Sequence, residues 1–173
     1  NIKDNFKPSV ILRPSIVFGP EDKFFNTFAS LAQFSPILPL VGGGETKFAP
    51  IYVNDIAKAI VKSLELNNSE TKIYELGGPK NYSFKELMEI LLIEIKKKRL
   101  LINIPFNVAK FNSYFLQMMP NPLLTPDQVE LLKYNNIVSG EHSTLKDLGI
   151  TGTNIQNVLS KYIYRFRTGG QFG

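Results

Sequence analysis

The chain contains no cysteine, which excludes a disulfide framework, thiolate ligands to zinc and a cysteine nucleophile. One histidine, His142, leaves no multi-histidine metal site, and its polar surroundings, Ser139-Gly140-Glu141-His142-Ser143, predict a solvated ring. Apolar runs are only a few residues long, against the roughly 20 needed to cross a bilayer. The start of the chain lacks the charged-then-apolar layout of a secretion signal, so the expectation is a soluble chain. Redox machinery is missing too. A dinucleotide-binding turn places glycines after a strand and before a helix, where backbone N–H groups and the helix dipole meet the pyrophosphate. Gly42-Gly43-Gly44 instead precedes a strand and Gly77-Gly78 runs into Pro79, so both read as plain turns. No tyrosine is followed four residues later by lysine, the base pair of ketone and alcohol redox sites.

What remains is an ordinary globular balance: 173 residues, 43% hydrophobic and 20% charged, about one domain. Twenty basic against 15 acidic residues give +5, which favours anionic partners such as nucleotide, nucleic acid or anionic lipid. Lys96-Lys97-Lys98-Arg99 is a candidate for phosphates or lipid head groups, with cations at a solvated helix terminus as the plainer reading. There is no internal repeat.

Asn1-Ile2-Lys3-Asp4-Asn5-Phe6-Lys7-Pro8 reads as polar linker, and Ser9-Val10-Ile11-Leu12-Arg13-Pro14 as a buried strand. Continuous apolarity without alternation suggests a strand covered on both faces, as in a parallel sheet whose other strands come from elsewhere. Residues 22–34 place Phe24, Phe25, Phe28, Leu31 and Phe34 on one stripe of a buried helix. Residues 35–44 break it. Residues 48–53 form a short strand, and Asn54 caps a helix over 55–66 with Ile56, Ala59, Ile60 and Leu64 facing the core. A strand over 72–76 follows, and Ser83-Phe84-Lys85-Glu86 is a capping box opening a helix to about residue 97. Residues 100–104 read as a strand and 105–118 as a helix whose Phe106, Phe111, Tyr114 and Phe115 are expected in the core, ended by Pro120-Asn121-Pro122. Thr125-Pro126-Asp127-Gln128 starts a helix to residue 134, and Thr153-Asn154-Ile155-Gln156 repeats that logic for the last one, to residue 164. The basic, glycine-rich tail from Arg165 to Gly173 is expected to fray or dock on a partner.

The run Ile11-Leu12-Arg13-Pro14-Ser15-Ile16-Val17-Phe18-Gly19-Pro20 resembles the second half of extended and atypical short-chain dehydrogenase/reductases. Phe48-Ala49-Pro50-Ile51-Tyr52-Val53-Asn54-Asp55-Ile56-Ala57 is similar to that family's later strand-to-helix segment, and Ile73-Tyr74-Glu75-Leu76-Gly77-Gly78 to its next strand. Gly43-Gly44-Glu45-Thr46-Lys47-Phe48-Ala49-Pro50, the Thr125-Pro126-Asp127-Gln128 run and Tyr164-Arg165-Phe166-Arg167 resemble one branch, the NAD(P)H-binding accessory subunits of respiratory complex I.

The resemblance implies an α/β fold: the C-terminal part of a Rossmann-type protein, with residues 1–20 ending the dinucleotide-binding sheet and 21–173 forming a substrate-domain-like α/β region. It implies that glycine loop and Tyr/Lys pair lie upstream, and that NAD or NADP is shared with that N-terminal half. Pro14, Ser15, Ile16 and Val17 would then lie beside the nicotinamide, mostly through backbone groups. Lys47, Phe48 and Asp55 are the substrate-loop candidates. In nucleotide-sugar epimerases an arginine that contacts the substrate diphosphate stands where this chain has Phe48, and Lys47 beside it should point to the opposite face of a strand. The implied partners are its own N-terminal half and respiratory NADH dehydrogenase subunits, not nucleic acid. The implied role is structural, in assembly, peripheral to the membrane through those partners. Its place would be the bacterial cytoplasm or the cytoplasmic face of the inner membrane, or the matrix side in a mitochondrion. The rival is an NAD(P)-dependent epimerase, dehydratase or reductase with its catalytic half missing here. A third reading, an RNA-binding protein on the same fold, rests on positive charge alone.

Overall fold

The computed structural model describes residues 8–66, 70–118 and 124–171. Apart from Pro8, the expected linker over 1–8 lies outside the described residues, as do the Pro120-Asn121-Pro122 stop and the last two tail residues. In chain order the elements are β1 (Val10–Pro14), β2 (Val17–Phe18), α1 (Lys23–Phe34), β3 (Ile37–Val41), β4 (Lys47–Phe48), β5 (Ile51–Tyr52), α2 (Val53–Leu64), β6 (Lys72–Leu76), β7 (Tyr82–Ser83), α3 (Phe84–Glu94), β8 (Leu100–Ile104), α4 (Phe106–Leu116), α5 (Pro126–Leu131), β9 (Ser143–Thr144) and α6 (Gln156–Ile163). Three-residue and four-residue 3₁₀ turns lie at Gly42–Gly44, Leu145–Leu148 and Tyr164–Phe166.

β1, β6 and β9 form a parallel sheet in the order β1-β6-β9, with Val10 opposite Lys72 and Pro14 opposite Leu76. β1 therefore has one neighbour among the described residues. Its Val10, Ile11 and Leu12 are only half-buried, not covered on both faces as their apolarity predicts. The sheet draws its other strands from residues 72–76 and 143–144. Two more parallel pairs, β2-β5 and β3-β8, and the antiparallel pair β4-β7 complete the strands.

β3 falls where the sequence suggests only a helix break. Pro39 sits inside it opposite Ile102, which is tolerable because β3 has a single ladder partner among the described residues and a proline's missing N–H can face away from it. The Gly42–Gly44 turn then has φ of 59, 75 and 76°, a left-handed run that only glycine sustains without strain. A Cβ on Gly42 would meet the Phe106 ring at 2.3 Å.

The main core lies between α1, α3 and α6, where Phe25, Ala29, Leu87, Leu91, Leu159 and Ile163 are fully enclosed. Phe24, Phe28 and Phe84 meet edge to face at 5.4–5.8 Å, the geometry that the ring quadrupole favours. Asp22 caps α1 by accepting the Phe25 N–H at 2.6 Å, and Tyr162 of α6 donates its hydroxyl to the other carboxylate oxygen at 2.6 Å. Burial pushes the Asp22 carboxyl above its ordinary range, with the Tyr162 bond opposing; burial and the Asp22 charge push Tyr162 upward too. The expected capping boxes at Ser83 and Thr125 are both formed. Arg99 donates to the Ala32 carbonyl and Arg167 to that of Glu94, so cations serve the last turns of α1 and α3.

Several expectations need correction. α2 begins at Val53, so Asn54 lies inside the helix and its amide bonds the Tyr52 hydroxyl. Ile60 and Leu64 of α2 are exposed, as are Phe34 of α1 and Phe111, Tyr114 and Phe115 of α4. For α2 and α4 the cause is that alanine and other small residues turn inward: Ala59 in α2, Ala109 and Ser113 in α4. α3 stops at Glu94 and Lys96 takes φ 54°. At α6 the N-cap position is Ile155, not Thr153, with no side-chain cap bond, and the Asn154 side chain before it accepts the Gln156 N–H.

Candidate functional site

The parallel strands β1 and β6 end side by side, and the chain leaving β1 stays bound to them: the Ser15 N–H donates to the Leu76 carbonyl at 3.0 Å. The Ser15 hydroxyl is buried and fully employed. It donates to the Asn136 carbonyl at 2.6 Å and accepts the Ala49 N–H at 3.1 Å. One residue on, the Ile16 carbonyl accepts the Ile51 N–H at 2.8 Å, and Val17 enters β2 opposite Ile51. Asn136 is held from its other side, its N–H donating to the Lys47 carbonyl at 2.8 Å. Gly78 closes the base. Its N–H bonds the Ala49 carbonyl, and any Cβ there would stand 2.0 Å from the Pro50 oxygen.

These contacts wall a cavity of about 140 Å³ at the carboxyl ends of β1 and β6, lined by Arg13, Pro14, Ser15, Glu75, Asn136 and Val138 among others. That is the end of a parallel sheet where open α/β folds take ligands. Glu75, beside Arg13 in the ladder, accepts the Ser139 N–H at 2.6 Å, and this bond above all holds its carboxyl below the ordinary range. Arg13 and Glu75 put one basic and one acidic residue in a lining that also includes the apolar Pro14, Leu76 and Val138. The cavity's volume is below the ~300 Å³ of pockets that enclose a whole small ligand.

Of the candidates read from the sequence, Pro14 and Ser15 line this cavity and Ile16 and Val17 lead away from it. Lys47 and Phe48 take opposite faces of β4: Lys47 is exposed, and Phe48 is buried against Phe24. Asp55 is elsewhere, fully enclosed, accepting the Thr153 N–H at 2.7 Å and pairing with Lys58 at 3.2 Å. Its carboxylate anchors the turn before α6. Asn136 and Val138, which close the cavity, had no signal in the sequence, because their segment has neither apolar period nor turn chemistry and meets Ser15 from 121 residues away. Among the described residues no cluster of acidic or histidine side chains could hold a metal.

No family model matches the chain. It is 33% identical over 172 residues to the mitochondrial NADH dehydrogenase (ubiquinone) 1 alpha subcomplex subunit 9 of Arabidopsis thaliana, across 94% of this chain and 43% of that protein. The chain is a homologue of the complex I subunit 9 proteins. The 40 kDa subunit of NADH-ubiquinone oxidoreductase from Neurospora crassa is 28% identical across 99% of this chain and 45% of its own length. The chain spans a little under half the length of the curated relatives it matches. Among solved structures, UDP-glucose 4-epimerase from Thermotoga maritima superposes with a TM-score of 0.61 at 15% identity, over 90% of this chain and 45% of that one. dTDP-glucose 4,6-dehydratase from Bacillus anthracis, solved with NAD, gives 0.62 at 16%, over 94% and 45%. The fold is that of the Rossmann-type extended short-chain dehydrogenase/reductases. Both relatives are named as mitochondrial subunits, of NADH dehydrogenase (ubiquinone) and of NADH-ubiquinone oxidoreductase, and among the described residues no helix is long and apolar enough to cross a membrane.

Proposed function

We propose that this chain is the C-terminal part of an NAD(P)H-binding accessory subunit of NADH:ubiquinone oxidoreductase, with a structural and assembly role. The observation that carries the reading is one-sided pairing. β1 has an apolar run suited to two neighbours but one partner among the described residues, and the small cavity opens at its end. A preceding dinucleotide-binding half would supply the second neighbour and the larger share of the NAD or NADP site. Pro14, Ser15, Ile16 and Val17 would form the lip beside the nicotinamide. Because the Ser15 hydroxyl is committed to Asn136 and Ala49, the lip acts through backbone and the shape of Pro14. The cofactor would bring hydride chemistry; this chain's residues hold its end in place and keep the strand ends rigid. Exposed Ile60, Val61 and Leu64 on α2 offer further apolar surface for the same half.

The sugar-enzyme reading is weaker here. It needs a cation on a diphosphate where this chain buries the Phe48 ring, and the adjacent Lys47 leaves by the opposite face. In the proposed assembly the subunit sits at the membrane surface through other respiratory subunits, on the matrix side in a mitochondrion or the cytoplasmic face in a bacterium.

The test is mass spectrometry of the native protein from gently solubilised membranes. The expected result is co-purification with respiratory NADH dehydrogenase subunits; recovery free of them would overturn the assignment. The split cofactor site has its own check: the chain alone should bind NADPH weakly or not at all, and micromolar affinity by titration would refute it.

A further inference from the structure

The positive excess of the chain is confined to one place. Residues 95–126 hold Lys96, Lys97, Lys98, Arg99 and Lys110 and no acid, while the remainder, with 15 cations and 15 acids, is neutral. This same stretch contains β8 and α4, where Leu101, Ile104 and Phe106 pack inward and several other large apolar side chains are exposed. Val108, Phe111 and Phe115 recur three and four residues apart on α4 and are 49, 65 and 63% exposed. The inner face of the helix is small, with Ala109 and Ser113 buried. On β8, Leu100 and Ile102 share a face and are 68 and 42% exposed. In the parallel ladder they stand opposite Ile37 and Pro39 of β3, so the outer face of this two-stranded ribbon is apolar as well.

Amphipathicity normally turns the large residues inward; here it is reversed, next to the chain's unbalanced cations. Lys110 is paired with Glu130. Lys96 and Lys98 are exposed, and Lys97 and Arg99 are bonded to Gln33 and to backbone carbonyls. α4, at about 16 Å from its 11 residues, is too short to span a bilayer but long enough to lie in its surface.

We infer that the β8-α4 face docks directly on a bilayer containing anionic phospholipid, with the Phe111 and Phe115 rings entering the headgroup boundary and the Lys96–Arg99 cluster meeting lipid phosphates. Charge complementarity selects this occupant, since exposed aromatic and aliphatic side chains in a stretch that carries five cations and no acid, with Glu130 of α5 paired to Lys110, are what an anionic interface binds. The inference is independent of the dinucleotide reading. It adds a direct lipid contact to an association otherwise mediated by protein partners.

The experiment is vesicle co-sedimentation of this chain, with whatever precedes it in the native polypeptide, on phosphatidylcholine with and without about 20 mol% phosphatidylglycerol. Binding should require the anionic lipid and weaken with salt. Phe111→Ser and Phe115→Ser should each lower partition about tenfold, and Lys96→Glu and Lys98→Glu about fivefold each, with thermal unfolding unchanged because all four side chains are exposed. Phe115→Trp, read as difference emission against the parent, should shift to the blue on vesicles. Failure of the parent to bind anionic vesicles, or binding indifferent to the serine variants, overturns the inference. So does loss of the serine variants from a lipid-free detergent preparation of the respiratory complex that retains the parent, which would mean that another subunit covers this face.

Discussion

Replacing Tyr162 by phenylalanine keeps a ring that is 7% exposed and deletes only the hydroxyl that bonds Asp22 at 2.6 Å. A hydrogen bond to a partly buried carboxylate contributes about 1.5–3 kcal/mol, so the variant should lose ~2 kcal/mol at neutral pH, a fall in melting temperature of about 4–8 °C for a chain of this size. Asp22 still accepts the Phe25 N–H, so α1 keeps its cap and the loss falls on the docking of α6. The pH dependence distinguishes this bond from general loosening. Burial holds the Asp22 carboxyl above its ordinary 3.8, and the Tyr162 hydroxyl opposes that rise, so Tyr162→Phe raises it further. A group whose folded value is raised loses its contribution as pH climbs through that value. The deficit of the variant should therefore grow as pH rises through the two folded values. Near pH 3, where the acceptor is neutral, it should shrink to about 1 kcal/mol. Urea unfolding of parent and variant at both pH values measures this. Equal deficits at the two, or a neutral-pH deficit below ~0.5 kcal/mol, would refute the reasoning, since the hydroxyl would then be as well bonded to water.

Gly42→Ala, at φ 59° and with its Cβ 2.3 Å from the Phe106 ring, should cost at least about 2 kcal/mol, and Gly149→Ala, at φ 70° in open space, only ~1 kcal/mol; denaturant midpoints compare them. Ser15→Ala removes a donor from the Asn136 carbonyl and an acceptor from the Ala49 N–H; because the Ala49 N–H also donates to that carbonyl at 3.1 Å, neither is left unpaired, and the cost should be about 1 kcal/mol, with faster amide exchange in the 134–138 segment. Glu75 lies below its ordinary 4.5, so its bond to the Ser139 N–H contributes above that value and is lost as pH falls through the folded one. The Ser139 amide resonance should move in that acid range, and in Glu75→Gln it should not titrate.

Local chemistry made some of the fold legible. The Ser83 and Thr125 capping boxes are written within four residues each and form as read. β1 and β6 follow from short β-branched or aromatic runs. What failed was the question of which face is covered. The period of α4 fixes a stripe, but only packing decides that Ala109 and Ser113 turn inward and Phe111 and Phe115 outward. β3 was hidden because Pro39 and three glycines look like a loop when the partner strand lies some sixty residues on. The cavity was half legible. Pro14 and Ser15 stand in a segment that family likeness marks, whereas Asn136 becomes part of it only through a tertiary contact.

The Asn136 junction has a kinetic meaning. Its carbonyl accepts the Ser15 hydroxyl across 121 residues, and closing a loop of that length costs entropy before any contact rewards it. Helix caps and hairpin-scale contacts have no such wait. The wall of the cavity should therefore be among the last parts of the molecule to close during refolding, with the Ala49 and Asn136 amides protected later than those of α3 in pulse-labelled hydrogen exchange. A chain caught before that step would present its strand ends open.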